Sequence, residues 1–217
     1  MGILSVKNVS HSYVKDKPVL KDISLDFEQG KMYVIFGPSG CGKTTLLSVM
    51  GGLDVPSGGQ VLFDGKNIQQ LGLEKHRRQN VAFVFQNYNL IDYMTPAENV
   101  NLTSKKDPMP FLEQVGLTRE EAKRNVLKLS GGQQQRVAIA RALASGAPVI
   151  LADEPTGNLD EDTAQGITAL LKRNAHQDGK CVIVVSHSGE VASQADVVLR
   201  LTHGMLEAMD APDAPEA

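Results

Sequence analysis

Gly37-Pro38-Ser39-Gly40-Cys41-Gly42-Lys43-Thr44 has the spacing G-x-x-x-x-G-K-T, and its chemistry is the capture of a polyphosphate. Glycines let consecutive backbone N–H groups curl around phosphate oxygens, and the positive end of a following helix adds to the attraction. Lys43 is placed to reach the β- and γ-phosphates, the Thr44 hydroxyl to bind Mg²⁺, and Thr45 to touch the α-phosphate side. A second chemical signal is Val149-Ile-Leu-Ala-Asp153-Glu154, an apolar run closed by two adjacent acids. Unpaired buried carboxylates are costly, so such a pair asks for an explanation. Asp153 is expected to hold Mg²⁺ through water, and Glu154, one residue on, to polarise a water for in-line attack on the γ-phosphate.

The elements around these residues have the right types. Met32–Phe36 reads as a strand entering the glycine loop, and Lys43–Met50 as the helix leaving it, ended by Gly51-Gly52. Ile3–Val9 and Ile23–Phe27 read as strands, with Glu28-Gln29-Gly30 as a turn. Val61–Phe63 enters the tight turn Asp64-Gly65, and Val81–Phe85 is another strand. Val149–Ala152 is wholly apolar, as a strand buried on both faces of a parallel sheet is, and Cys181–Ser186 reads as another buried strand. Val197–Leu201 is a last strand, and Asp162–Gln177 a helix.

Between Thr95 and Lys128 the pattern predicts mostly helix, broken at Asp107–Pro110 and at Gly116, with a capping box at Thr118-Arg-Glu-Glu121. Gln134–Ser145 continues as helix, with Val137, Ala140, Leu143 and Ala144 on one face. The expectation is a helical subdomain over about 95–145 inserted in an α/β core, one domain over 1–209 and a disordered tail over 210–217.

Composition sets limits. The 217 residues carry a net charge of −3, which argues against a nucleic-acid binder. Cys41 and Cys181 lack C-x-x-C spacing, arguing against a disulfide framework or structural zinc. No apolar run approaches the roughly 18–20 residues that span a bilayer. These features predict a soluble cytoplasmic chain. Lys75-His-Arg-Arg78 reads as a solvated basic face, and His11, His76, His176 and His203 as surface or packing residues.

Leu129-Ser130-Gly131-Gly132-Gln133 stands 24 residues before Asp153. With this pentapeptide the chain resembles the ATP-binding cassette (ABC) ATPases over roughly Ile3 to Glu207. Physically it is a second anion site, a serine and glycine N–H groups opening a helix. The resemblance implies that Ser130, Gly131, Gly132 and Gln133 close over ATP bound to another copy, giving a homodimer on ATP binding. It implies a phosphate-loop NTPase (RecA-like) α/β core with an N-terminal antiparallel β subdomain and a short inserted α-helical subdomain. Gln86 matches the Q-loop glutamine, which contacts Mg²⁺ or the attacking water. Asp160, in Asn158-Leu-Asp160, matches the D-loop, and His187 the switch histidine that positions Glu154. Tyr13, 24 residues before Gly37, matches the aromatic residue that stacks on adenine.

Phe83-Val-Phe-Gln86-Asn-Tyr-Asn-Leu90 and Glu154-Pro-Thr-Gly-Asn-Leu-Asp160 resemble the macrolide-exporter and lipoprotein-release type, leaning to bacteriocin or antimicrobial-peptide exporters. That likeness implies ATP and Mg²⁺ as cofactors, a separate transmembrane permease, and a place on the cytoplasmic face of the membrane. Two departures stand out. Gln86 and Leu129 are separated by 42 residues, about a dozen fewer than is usual for the family, so the helical arm is expected to be short. Ser186-His187-Ser188 replaces the more usual Thr-His-Asp, with the histidine kept. An ABC ATPase regulating a membrane protein without transport, or a non-transport ABC ATPase, is the alternative. The long coiled coils of DNA-repair relatives and the second cassette of translation-factor relatives are both missing from this sequence.

Overall fold

The computed structural model describes residues 2–209, so Met1 and the 210–217 tail expected to be disordered lie outside the described residues. Two sheets organise the chain. The first pairs β1 (Leu4–His11) with β2 (Leu20–Phe27) on one side and with β4 (Gly58–Phe63) on the other, both antiparallel. The short β5 (Lys66–Asn67) extends β4 across the turn at Asp64-Gly65.

The second sheet has six strands and carries the chemistry. Its parallel members are β3 (Met32–Phe36), β6 (Val81–Val84), β7 (Val149–Asp153), β8 (Cys181–Ser186) and β9 (Val197–Thr202). They run in the order β9-β3-β8-β7-β6, with β10 (Met205–Ala208) antiparallel on β9. β7 and β8 are buried at every residue, as their apolar runs Val149–Ala152 and Cys181–Val185 require. Because side chains alternate across a strand, those runs feed two cores at once. Ile150, Ala152, Val182 and Val184 pack into one core, and Val149, Leu151, Ile183 and Val185 into the other.

Helices cover both faces. α1 (Lys43–Met50) packs in the core shared with the antiparallel sheet. α6 (Gly131–Ala144) and α7 (Glu161–Asp178) line the opposite core. α6 also carries α4 (Pro96–Asn101) and α5 (Met109–Gln114). Shorter helices are α2 (Ile68–Leu71), α3 (Leu73–Gln79) and α8 (Gly189–Ser193).

Several boundaries differ from the sequence expectation. Region 95–128 is less helical than its pattern predicts, with two six-residue helices and two 3₁₀ turns, Glu121–Lys123 and Val126–Lys128. The Thr118–Glu121 capping box makes its hydrogen bonds, but Arg124 turns extended and stops the helix after one turn. α6 starts three residues earlier than expected, because Ser130 and Gln133 form a capping box around the glycine pair. The basic run at 75–78 is not a uniformly solvated face. It lies in α3, and His76 there is fully buried.

Candidate active site at the strand ends

Four of the parallel strands end at the same level, and each hands over a chemical group. Phe36 pairs with Ser186, Asp153 with Val185, and Val84 with Ala152. The glycine loop therefore leaves β3 beside the residue that precedes His187. Glu154 leaves β7 next door, and Gln86 follows β6. Ligand sites of open α/β sheets lie at the carboxyl ends of strands for this reason.

A cavity of about 590 Å³ opens there. It brings together Ser39, Gly40, Gly42, Lys43, Thr44, Thr45, Gln86, Asp153, Glu154 and His187, all expected from the sequence. Val19, Gly157 and Asn158 line it as well. Asn158 was legible only as part of the D-loop string, and Val19 carried no signal.

The loop's shape depends on its glycines. Gly42 caps α1 with φ +108, and a Cβ there would also press on Val19 and Leu20 at 3.1 Å. A Cβ on Gly37 would lie 2.3 Å from the Leu201 carbonyl oxygen. Lys43 is only 8% exposed, and its ammonium donates to the carbonyls of Gly37 at 2.8 Å and Pro38 at 3.0 Å. Thr44 and Asp153 line the same cavity. Burial pushes the Asp153 carboxyl above its ordinary range, and the neighbouring Thr44 hydroxyl offsets part of that rise. Among the described residues no cluster of three or more His, Cys, Asp or Glu side chains forms a self-contained metal site. The donors at this point are instead oxygens, the Thr44 hydroxyl and the Asp153 carboxylate with Gln86 on the same cavity, a set that suits Mg²⁺ shared with phosphates.

Glu154 sits in a left-handed backbone conformation, φ +46, which turns it out of the strand. Its N–H donates to the Val185 carbonyl at 3.0 Å. His187 donates from Nδ1 to one Glu154 carboxylate oxygen at 2.8 Å, and Ser186 donates to the other at 3.4 Å. The acceptor is a carboxylate, so Nδ1 bears the proton in this pair. Tyr13 is 61% exposed, donates to the Thr45 hydroxyl at 3.3 Å and meets His11 edge-on at 4.7 Å. It stands at the margin of the phosphate loop rather than in the cavity wall.

Other expected residues lie elsewhere. Pro38 and Cys41 line a neighbouring hollow with His203 and Gly204. Asp160 caps α7, accepting from the Thr163 N–H at 3.0 Å and hydroxyl at 2.8 Å, and these bonds hold its carboxyl below the usual range. Ser130, Gly131, Gly132 and Gln133 do not line the cavity around Lys43. Ser130 caps α6, Gly131 faces the Tyr88 hydroxyl, Gly132 faces the Asn158 carbonyl, and Gln133 donates to Glu121 at 2.6 Å. The signature segment thus packs against both the turn after Gln86 and the segment after Glu154. Arg141, which sequence reading passed over, ties the same turn to α6 by donating to the carbonyls of Tyr88 at 2.8 Å and Asn89 at 2.6 Å.

The family model described as ABC transporter matches residues 20–157. The chain belongs to the ABC transporter family. It is one of that family's ATPase cassettes. It is 45% identical over 215 residues to the uncharacterized ABC transporter ATP-binding protein YclH of Bacillus subtilis, covering 94% of this chain and 95% of that one. It is 43% identical over 202 residues to the macrolide export ATP-binding/permease protein MacB of Brucella melitensis, covering 87% of this chain but 31% of MacB. The dimeric structure of MJ0796, a bacterial ABC transporter cassette, superposes with a TM-score of 0.89 at 38% identity, over 96% of this chain and 98% of that one.

Proposed function

We propose that this chain is the ATP-hydrolysing motor of an exporter whose channel is a separate membrane permease. The cargo belongs to the lipoprotein, peptide or antimicrobial class. One observation carries the reading: the ligands for a polyphosphate and the Glu154–His187 pair share one cavity, while Ser130–Gln133 lies outside it. An active site built this way is completed by a second copy, head to tail, as a two-fold dimer.

Lys43 and the loop N–H groups hold the β- and γ-phosphates, and Tyr13 stacks on the adenine. Thr44 and Asp153, with Gln86 beside them, hold Mg²⁺, which when bound neutralises phosphate charge. Glu154 takes a proton from a water as its oxygen bonds to the γ-phosphorus. The bond to the bridging oxygen breaks, leaving ADP and phosphate. His187 holds the Glu154 carboxylate and reaches the γ-phosphate. Ser130 of the second copy stabilises the transferring group. Loss of the γ-phosphate removes the bridge between copies, and the dimer reopens.

The permease docks in a groove of about 610 Å³. Its walls carry Arg77, Arg78, Lys105 and Arg141 without an acid, over the stacked rings of Phe83 and Phe85. An acidic, amphipathic cytoplasmic segment of the permease fits that chemistry, and through such a partner the chain would sit on the cytoplasmic face of the membrane.

Affinity recovery from detergent-solubilised membranes tests the assignment. A permease that raises ATP hydrolysis by the bound chain is the expected result. Recovery of ribosomes or DNA in its place overturns it.

A further inference from the structure

The phosphate-loop helix ends against two residues that line the groove, Arg77 and Phe83. α1 presents Lys43 and Thr44 at its N-terminal end. Its eight residues make a rod about 12 Å long. At the other end, His76 donates from Nε2 to the Met50 carbonyl at 3.1 Å, and Arg77 donates to the Gly52 carbonyl at 2.5 Å. A methyl on Gly51 would lie 1.9 Å from the Phe83 ring, so the backbone there rests on that ring. Phe83 in turn stacks on Phe85, with centroids 5.0 Å apart and planes 7° from parallel. Arg77, Phe83 and Phe85 all face the groove.

Arg77 therefore serves two surfaces. Its charge lies at the negative end of the α1 dipole, a favourable site for a cation. The same guanidinium is offered to whatever occupies the groove, where an acidic group competes with the Gly52 carbonyl for it. A change in that contact alters how the rod is seated, and the rod is packed too tightly to absorb the change at its midpoint, since Leu46, Val49 and Met50 are fully buried.

We propose that Arg77 is a positioning residue that couples occupancy of the groove to the seating of the phosphate-loop helix. This is a link between partner and nucleotide that runs through α3 and α1. It rests on the reading of the groove as the permease dock. Coupling of this kind is reciprocal, so nucleotide on the loop must also change the groove.

The reciprocal direction needs no permease. The sequence contains no tryptophan, so Leu102→Trp, at an exposed position lining the groove, adds a single indole reporter. The expected result is a shift in its emission on saturation with Mg-ADP or Mg-ATP. Adding Arg77→Met is expected to abolish that shift while titration with a fluorescent ADP analogue still shows binding. Arg78→Met, at a groove cation with no hydrogen bond to α1 among the described residues, is expected to keep the shift in full. Where Arg77→Met fails to fold by circular dichroism, Arg77→Lys serves, with a reduced shift expected. No shift in the Leu102→Trp chain at saturation, or a full shift with Arg77 replaced, overturns the proposal. Failure to recover a permease would remove the docking reading while leaving this optical result untouched.

Discussion

His187 Nδ1 and Glu154 Oε1 are 2.8 Å apart, and the histidine ring is mostly exposed while the carboxylate is not. The carboxylate proposed as the general base is thus held by a ring that solvent reaches.

Glu154→Gln keeps the shape of this pair and removes the base. We expect ATP binding to persist and turnover to fall by about 10²–10⁴-fold, the usual worth of general base catalysis. A closed dimer should accumulate in ATP, read by size-exclusion chromatography. Wild-type hydrolysis in this variant would remove Glu154 from its role.

Ser130 distinguishes the chain's own site from the one it is proposed to complete. Ser130→Ala deletes a helix cap, at about 1 kcal/mol of stability. In the Glu154→Gln background the isolated chain should still bind a fluorescent ATP analogue to within about twofold, a change under ~0.5 kcal/mol. The ATP-dependent dimer should be lost. Equal loss of binding and dimer would place Ser130 in the chain's own site instead.

Gly51 has an ordinary φ of −84°, so only packing forbids a side chain there. Gly51→Ala drives a methyl into the Phe83 ring and should cost about 1–3 kcal/mol in urea unfolding, in the range of other overpacked cores. Phe83→Leu should recover part of that loss, giving a coupling energy in a double-mutant cycle. Additive costs would show that the ring yields freely.

His76 gives the fold a pH dependence. Its ring is buried, donates to Met50 and accepts from Asn80, and burial holds its pKa below the ordinary 6.5. The unfolded chain therefore binds the proton more readily, and stability falls as pH drops below 6.5. His76→Gln should be less stable at about pH 7.5 but flatter in its loss toward about pH 5, read by chemical denaturation at both. An unchanged slope would mean that other groups set the acid limb.

Where the chemistry is local, the sequence was readable. The strand, glycine loop and helix over 32–50 are continuous in the chain, and α1 begins and ends at Lys43 and Met50 as expected. β7 and β8 were legible because burial on both faces leaves no polar position to interrupt the run. What escaped depends on partners far along the chain. Arg141 reads as one more basic residue on a helix until the fold sets it beside Tyr88 and Asn89. His76 lies in a run of charge, and only the end of α1 makes it a core residue. The 3₁₀ turns escaped because a capping box marks where a helix starts and says nothing of how long it lasts.

The left-handed residue at 154 has a wider consequence. Asp153 keeps its rung in β7 and shares a cavity with Thr44, while Glu154 swings to His187. Two carboxylates joined by one peptide bond are thereby assigned to different neighbours by a backbone turn, not by side-chain length. Strain of about 1–3 kcal/mol accompanies such a conformation. The fold of the junction should therefore tolerate altered side chains far better than altered length. One residue inserted or removed there would shift both acids at once and strand each beside the other's partner.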